Sequence, residues 1–158
     1  MIIRKAKIND IDEILEVFDL AKKIMRENGN HSQWTDGYPS KELLSEDINS
    51  GNLYVLEKDR IEAVFALIEG IDPTYIEIEG AWLDDKPYAT LHRVASSGRV
   101  KGLFSKIIEF AVTINSNLKI DTHQDNSIMQ RVVEKSGFKY CGKIYLEDGS
   151  PRLAYQKN

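Results

Sequence analysis

The stretch YATLHRVASSGRVKGLFSKIIEFA, residues 88–111, decides how the rest of the chain is read. Its first half, Tyr88 to Ala95, alternates side chains between two faces, as a strand does. Its second half sets Leu103, Ile107, Ile108, Ala111 and Val112 at helical spacing along one side. Between them lies Ser96-Ser97-Gly98-Arg99-Val100-Lys101-Gly102, a short loop of hydroxyls, glycines and cations at a strand-to-helix junction. The first turn of a helix has backbone N–H groups without internal partners, and its dipole adds partial positive charge there. Glycines let a ligand approach the backbone closely, and Arg99 and Lys101 add charge. Such a loop has the chemistry of a diphosphate cradle. An ordinary strand-to-helix turn with solvated cations has the same composition.

At 158 residues the chain suits one domain, 1–158, large enough to bury a core. A formal charge of −4 argues against general binding to nucleic acid or to anionic membranes. Cys141 is the only cysteine, which excludes an intrachain disulfide or a cysteine metal cluster and suits a reducing cytoplasm. No apolar run approaches the roughly 20 residues of a membrane span, and the N-terminus has no secretion pattern.

From the N-terminus, Met1–Ile8 reads as a strand, and a helix follows with Ile11, Ile14, Leu15, Phe18, Ala21 and Met25 on its apolar stripe. His31–Pro39 is a polar, aromatic loop, and Ser40 caps a second helix. Leu53–Glu57 and Ile61–Glu69 form a hairpin. Pro73–Trp82 alternates only in part, and reads either as a further strand or as an excursion beside the site. After the central unit come a strand at Leu118–Thr122, a helix from Asp125 or Asn126 to Gly137, and a last hairpin, Phe138–Leu146 with Arg152–Tyr155. The order predicts a mixed α/β (α+β) fold: a mostly antiparallel sheet of six or seven strands with helices on both faces.

Three features together resemble the GNAT N-acyltransferase superfamily. Arg99-Val100-Lys101-Gly102-Leu103-Phe104 is similar to its acyl-CoA motif, and Asn126…Met129…Gly137-Phe138 to its second signature. The opening strand, followed by two helices with a loop between them, is the third. The chain departs from the pattern in having Phe104 where a small residue is usual, a shorter cradle loop, and Val133 where many members place a tyrosine that protonates the leaving thiolate.

The resemblance implies transfer of an acetyl group from acetyl-CoA straight to a primary amine of a small molecule or peptide. It implies two splayed strands, with Val94 and Ser96 holding the pantetheine arm by backbone hydrogen bonds. The N–H groups of Arg99, Val100, Lys101, Gly102, Leu103 and Phe104 would hold the diphosphate, and Asn126 and Met129 would meet the arm from the other side. No metal is implied, and the expected assembly is a monomer or homodimer.

For the base that takes the amine proton, His92 is one candidate, since an imidazole titrates at about 6.5. Glu79 is another if 73–82 lies beside the central strand, with Glu77 at the same parity. His123 stands two residues after Asp121, so the carboxylate would orient its imidazole at the acceptor site. Asp121, His123 and Asp125 alternate with metal-ligand chemistry, but no fourth ligand accompanies them. Trp34 and Tyr38 either line the acceptor pocket or staple their loop to the domain, and Tyr145 is the candidate replacement for the missing acid. Cys141, between Tyr140 and Gly142 on a strand, reads as core. A non-catalytic acyl-CoA sensor that lost its acid at Val133 is the alternative to an enzyme. A nucleotide-phosphate binder fits poorly, because the G-x-x-x-x-G-K-[S/T] spacing is absent.

Overall fold

A computed structural model describes residues 1–31, 33–34 and 37–158. The elements are β1 (Ile2–Lys5), α1 (Ile11–Glu27), α2 (Lys41–Asn49), β2 (Leu53–Glu57), β3 (Ile61–Glu69), β4 (Glu79–Gly80), β5 (Ala89–Ser96), α3 (Leu103–Ile114), β6 (Leu118–Thr122), α4 (Ser127–Lys135), β7 (Lys139–Tyr145) and β8 (Pro151–Lys157). Among the described residues the strands form one eight-stranded sheet in the order β1-β2-β3-β5-β6-β8-β7-β4. That exceeds the expected six or seven because the undecided segment supplies β4, a two-residue strand on β7.

Alternation along β2 and β3 feeds both faces at once. Tyr54, Leu56, Ala63, Phe65 and Leu67 join α3 and Val133 of α4 in one apolar cluster. Leu53, Val55, Val64 and Ala66 join α1 and Leu44 of α2 on the other face. Side chains as buried as Phe65 or Ile14 contribute about 1.5–3 kcal/mol each. The stripe on α1 explains its docking, since Ile11, Ile14, Val17, Phe18 and Ala21 are its buried residues. Ser40 Oγ accepts the Leu43 N–H at 3.0 Å and starts α2 as expected.

The segment from 70 to 88 covers the remaining half of the face that carries α1. Pro73–Tyr75 is a 3₁₀ turn whose first N–H groups are met by Asp72. Tyr75, Tyr88, Ile144 and Ala154 form a third apolar cluster, with Trp82 packed against it. Lys119, buried beneath this cover, places its Nζ 4.1 Å from the Trp82 ring and 3.8 Å from the Tyr88 ring. At the edge, a Cβ on Gly142 would lie 2.0 Å from the Glu79 carbonyl oxygen, so only glycine lets β4 come this close. No helix is long and apolar enough to cross a membrane among the described residues.

Candidate active site

Two departures from regular pairing open the sheet at its centre. The first is the end of a ladder: β5 and β6, the parallel pair, are in register from Ala89↔Leu118 to Leu91↔Ile120. Beyond that point β5 continues to Ser96 beside β3, and β6 continues to Thr122 beside β8, so the two strands part. The second is a bulge in β5, where Ala66 faces His92 but Val64 already faces Ala95. Arg93 takes the extra residue's place with φ 51°. Past the bulge the Ser97 N–H bonds to the Glu62 carbonyl on the β3 side. Strand alternation then directs the N–H groups of Val94 and Ser96 to the opposite edge, into the gap beside β6. Arg93 is anchored by a bidentate pair with Asp47 of α2, at 2.8 and 3.0 Å.

A cavity of about 840 Å³ occupies the gap between β5, α3, α4 and α1. Val94, Ser96, Val100, Gly102, Leu103, Phe104, Asn126 and Met129, all expected around the cofactor, line it. Gly102 sits at φ 76° immediately before α3, with no atom within 4 Å of where a Cβ would be. Phe104, the bulky departure from the motif, packs partly against the core. Arg99 and Lys101 do not line the cavity. Arg99 has its own partners: Nε donates to Glu62 Oε1 at 2.8 Å and Nη2 to the Ile61 carbonyl at 3.2 Å. Glu62 is buried, so this pair ties the cradle loop to the start of β3.

A second cavity, about 450 Å³, adjoins the first, and Met25, Val94, Asn126 and Met129 line both. His92, Trp34 and Tyr38 line this second cavity, as do Asp72, Thr74, Asp121 and Arg152. Trp34 also meets Phe18 of α1 edge-on with ring centres 5.3 Å apart, so it both lines the cavity and fastens its loop. Gln33 Oε1 accepts from Asn126 Nδ2 at 3.0 Å and from Asn30 Nδ2 at 3.1 Å, bridging that loop to the start of α4. Ser32, Thr35 and Asp36 of the expected acceptor loop lie outside the described residues.

His92 Nε2 is 2.7 Å from Asp72 Oδ2. Burial alone would raise the Asp72 carboxyl. The contact with His92, with the Thr74 hydroxyl at 2.7 Å and N–H at 2.9 Å, outweighs it and brings the pKa to about 2. Asp72 is therefore ionised near neutrality and accepts from Nε2–H, so that in the neutral ring Nδ1 is the acceptor. The depressed folded-state pKa fixes the sign of an acid effect. Stability from Asp72 is present above its ordinary 3.8 and is lost as pH falls through about 2. Thermal melts of Asp72→Asn are expected to flatten against pH between those values, relative to the parent.

Asp121 does not orient His123. Its Oδ2 accepts the Tyr75 hydroxyl at 2.6 Å, because the 3₁₀ turn delivers that hydroxyl to the face Asp121 occupies. Burial pushes the Asp121 carboxyl up, against the pull of His92 and the Tyr75 hydroxyl. Tyr75 is held protonated, since burial first and then the Asp121 charge lift it well above 10.0. His123 lines neither cavity and accepts the Asp125 N–H at Nδ1, 3.0 Å away. Burial lowers its pKa, which keeps the imidazole neutral.

Glu79 and Tyr145 meet each other and not the cavities. The Tyr145 hydroxyl donates to Glu79 Oε2 at 2.8 Å across the exposed β4–β7 pair, and this bond raises its pKa. Tyr145→Phe is therefore expected to keep turnover within about threefold of the parent, against the 10²–10⁴-fold typical of a lost proton-transfer group. Val133 is fully buried against the core, so its position offers no hydroxyl.

Asp72, Tyr75 and Arg152 reach the site by tertiary packing, and local spacing gave no sign of it. Among the described residues no three His, Cys, Asp or Glu side chains converge as a metal site would require.

No family profile matches the chain, and no curated protein is significantly similar to it. Solved structures are. A GNAT-family acetyltransferase from Streptococcus agalactiae 2603 is 35% identical, with a TM-score of 0.88 over 99% of this chain and 94% of that one. A Staphylococcus aureus MU50 protein with a provisional acetyltransferase designation is 27% identical, with a TM-score of 0.73 over 100% and 99% of the two chains. A GNAT-family acetyltransferase from Listeria monocytogenes 4b F2365 shares the fold at 19% identity and a TM-score of 0.72, over 99% and 93%. The identity to the streptococcal enzyme along nearly the whole chain, on a sheet split between β5 and β6, makes this protein a member of the GNAT acetyltransferase family.

Proposed function

We propose that the chain moves an acetyl group from acetyl-CoA directly to a primary amine of a small molecule or peptide. One observation carries the reading: two cavities join at Val94, Asn126 and Met129, and the smaller holds an imidazole whose Nε2 is engaged by Asp72 and whose Nδ1 has no hydrogen-bond partner among the described residues. The larger cavity suits an elongated ligand with amides and a diphosphate. Val94 and Ser96 supply open strand groups, the start of α3 supplies N–H donors, and Asn30, on the wall, has a buried Oδ1 without a partner among the described residues. Bound acetyl-CoA supplies an activated acyl group. His92 Nδ1 takes the proton from the amine as its nitrogen attacks the thioester carbonyl, Asp72 holds the ring in the accepting tautomer, and the Val94 N–H stabilises charge on the carbonyl oxygen. The C–S bond then breaks, and the departing CoA thiolate takes its proton from the His92 imidazolium or from solvent.

Free-thiol release from acetyl-CoA across a panel of amines tests this directly. Release that depends on both substrates supports it, and none with any amine sinks it. Binding is tested separately by thermal shift. At a hundredfold excess over Kd a ligand adds about 2.7 kcal/mol. For a chain of this length that is roughly 5–10 °C in Tm. No shift at about millimolar acetyl-CoA, far above the micromolar Kd expected, would rule out the cofactor.

The burial of Val133 favours a second reading, an acyl-CoA sensor without turnover. It requires the Tm shift without thiol release.

A further inference from the structure

Arg152 is the one cation on the wall of the smaller cavity that the fold has left without an anionic partner, among the described residues. It is 8% exposed. Its Nη1 donates to the Pro151 carbonyl at 2.8 Å, and the guanidinium has no other hydrogen bond and no ion pair among the described residues. The other guanidinium on the wall, Arg93, has its charge matched by a bidentate pair with Asp47. The carboxylates that sense the charge of Arg152 are committed elsewhere: Asp121 to the Tyr75 hydroxyl, and Asp148 to the Ser150 N–H and hydroxyl. A guanidinium has five donors in a fixed fork, and those of Arg152 that no protein group meets are not sealed in the core but open onto the cavity, where a ligand can meet them.

The register explains the placement. Arg152 faces Ile144 of β7, and Ala154, two residues along β8 on the same face, faces Asp121 of β6. Arg152 thus enters the cavity from the β7–β8 hairpin side, whereas His92 and Asp72 enter from β5 and the segment before the 3₁₀ turn. One side presents a proton acceptor held by the Asp72 carboxylate, which suits an amine. The other presents a cation whose neighbouring carboxylates, Asp121 and Asp148, are hydrogen-bonded elsewhere.

We infer that the acceptor is an amine that also carries a carboxylate, with the amino group toward His92 and the carboxylate on the Arg152 fork. An amino acid is the simplest such molecule. This rests on the amine-acetylation reading above and narrows it to a substrate class. Arg152 is here a specificity residue, acting on binding and orientation.

The test uses acceptor pairs that differ at one group: α- and ω-amino acids against their own primary amides, at saturating acetyl-CoA, read by thiol release. Near neutral pH more of the amide's less basic amine is unprotonated and ready to attack, so a preference for the free acid has to come from the protein. In the parent, kcat/KM for the best acid is expected to exceed that of its amide by about 10- to 100-fold, the range of a charge-assisted bidentate contact. In Arg152→Gln that ratio is expected to fall to about threefold or less, mostly through KM, while Arg152→Lys keeps part of it. If Arg152→Gln fails to fold, the parent's ratio and that of Arg152→Lys still decide. Equal use of acids and amides by the parent overturns the inference. So does an Arg152→Gln loss of equal size on both members of a pair, which would mark Arg152 as a countercharge for Asp121 and Asp148. Either result leaves amine acetylation standing. Absence of thiol release with every amine takes down acetylation itself and this inference with it.

Discussion

His92→Ala is expected to lower kcat by about 10²–10⁴-fold while leaving acetyl-CoA affinity nearly unchanged. The asymmetry follows from position. His92 lines the smaller cavity and not the larger one, so its loss removes proton transfer without touching the walls expected to grip the cofactor. Asp72→Asn is the sharper companion. An asparagine can present its amide N–H to Nε2, which would place the ring proton on Nδ1 and abolish the acceptor there. Loss of kcat in Asp72→Asn approaching that of His92→Ala, with acetyl-CoA binding intact by isothermal titration, would establish the pair as one unit. If His92→Ala lowers only Tm and keeps kcat within tenfold, the imidazole serves to tether Asp72 and the base lies elsewhere.

The largest effect on stability is expected at Arg93. Arg93 and Asp47 are nearly enclosed, with side-chain exposures of 12% and 10%, and they join the bulge of β5 to α2. Arg93→Met leaves the Asp47 carboxylate buried without its partner, which costs about 3–5 kcal/mol. At this chain length that is roughly 10 °C in Tm. The double variant Arg93→Met with Asp47→Leu removes the orphaned charge and is expected to recover most of the loss. Thermal and urea melts of the singles and the double close the cycle. Additive losses would mean that the pair is not coupled. The bulge also turns the Val94 and Ser96 N–H groups toward the gap, so a relaxed bulge in Arg93→Met is expected to weaken acetyl-CoA binding as well.

The cradle loop shows how charge composition misleads at the residue level. Arg99 and Lys101 made the loop between β5 and α3 look like a cationic phosphate grip. In the fold Arg99 is bound to buried Glu62, thirty-seven residues earlier, and neither cation lines the large cavity. What remains there is backbone: the N–H groups at the start of α3 and the open position at Gly102. Histidine spacing misled in the same way. Asp121 and His123 share a parity on paper, yet β6 ends at Thr122, and a tyrosine from the 3₁₀ turn takes the carboxylate instead.

The sequence alone determined the elements and their order, because period-two and helical spacing, Ser40, and the glycines at loop ends are local signals that need no partner. It also determined the unit from 88 to 111 and the loss of a hydroxyl at Val133. It left 73–82 open, since a two-residue strand and a single 3₁₀ turn are too short for any periodicity. Tertiary structure decided which carboxylate meets which imidazole, where β5 and β6 part, and which cation on the smaller cavity has no anionic partner among the described residues. Those depend on register across strands far apart in the chain: Asp72 to His92, Tyr75 to Asp121, Glu62 to Arg99. A hydrogen bond acts over about 3 Å, so groups twenty to forty-six residues apart meet only after the sheet has fixed their positions.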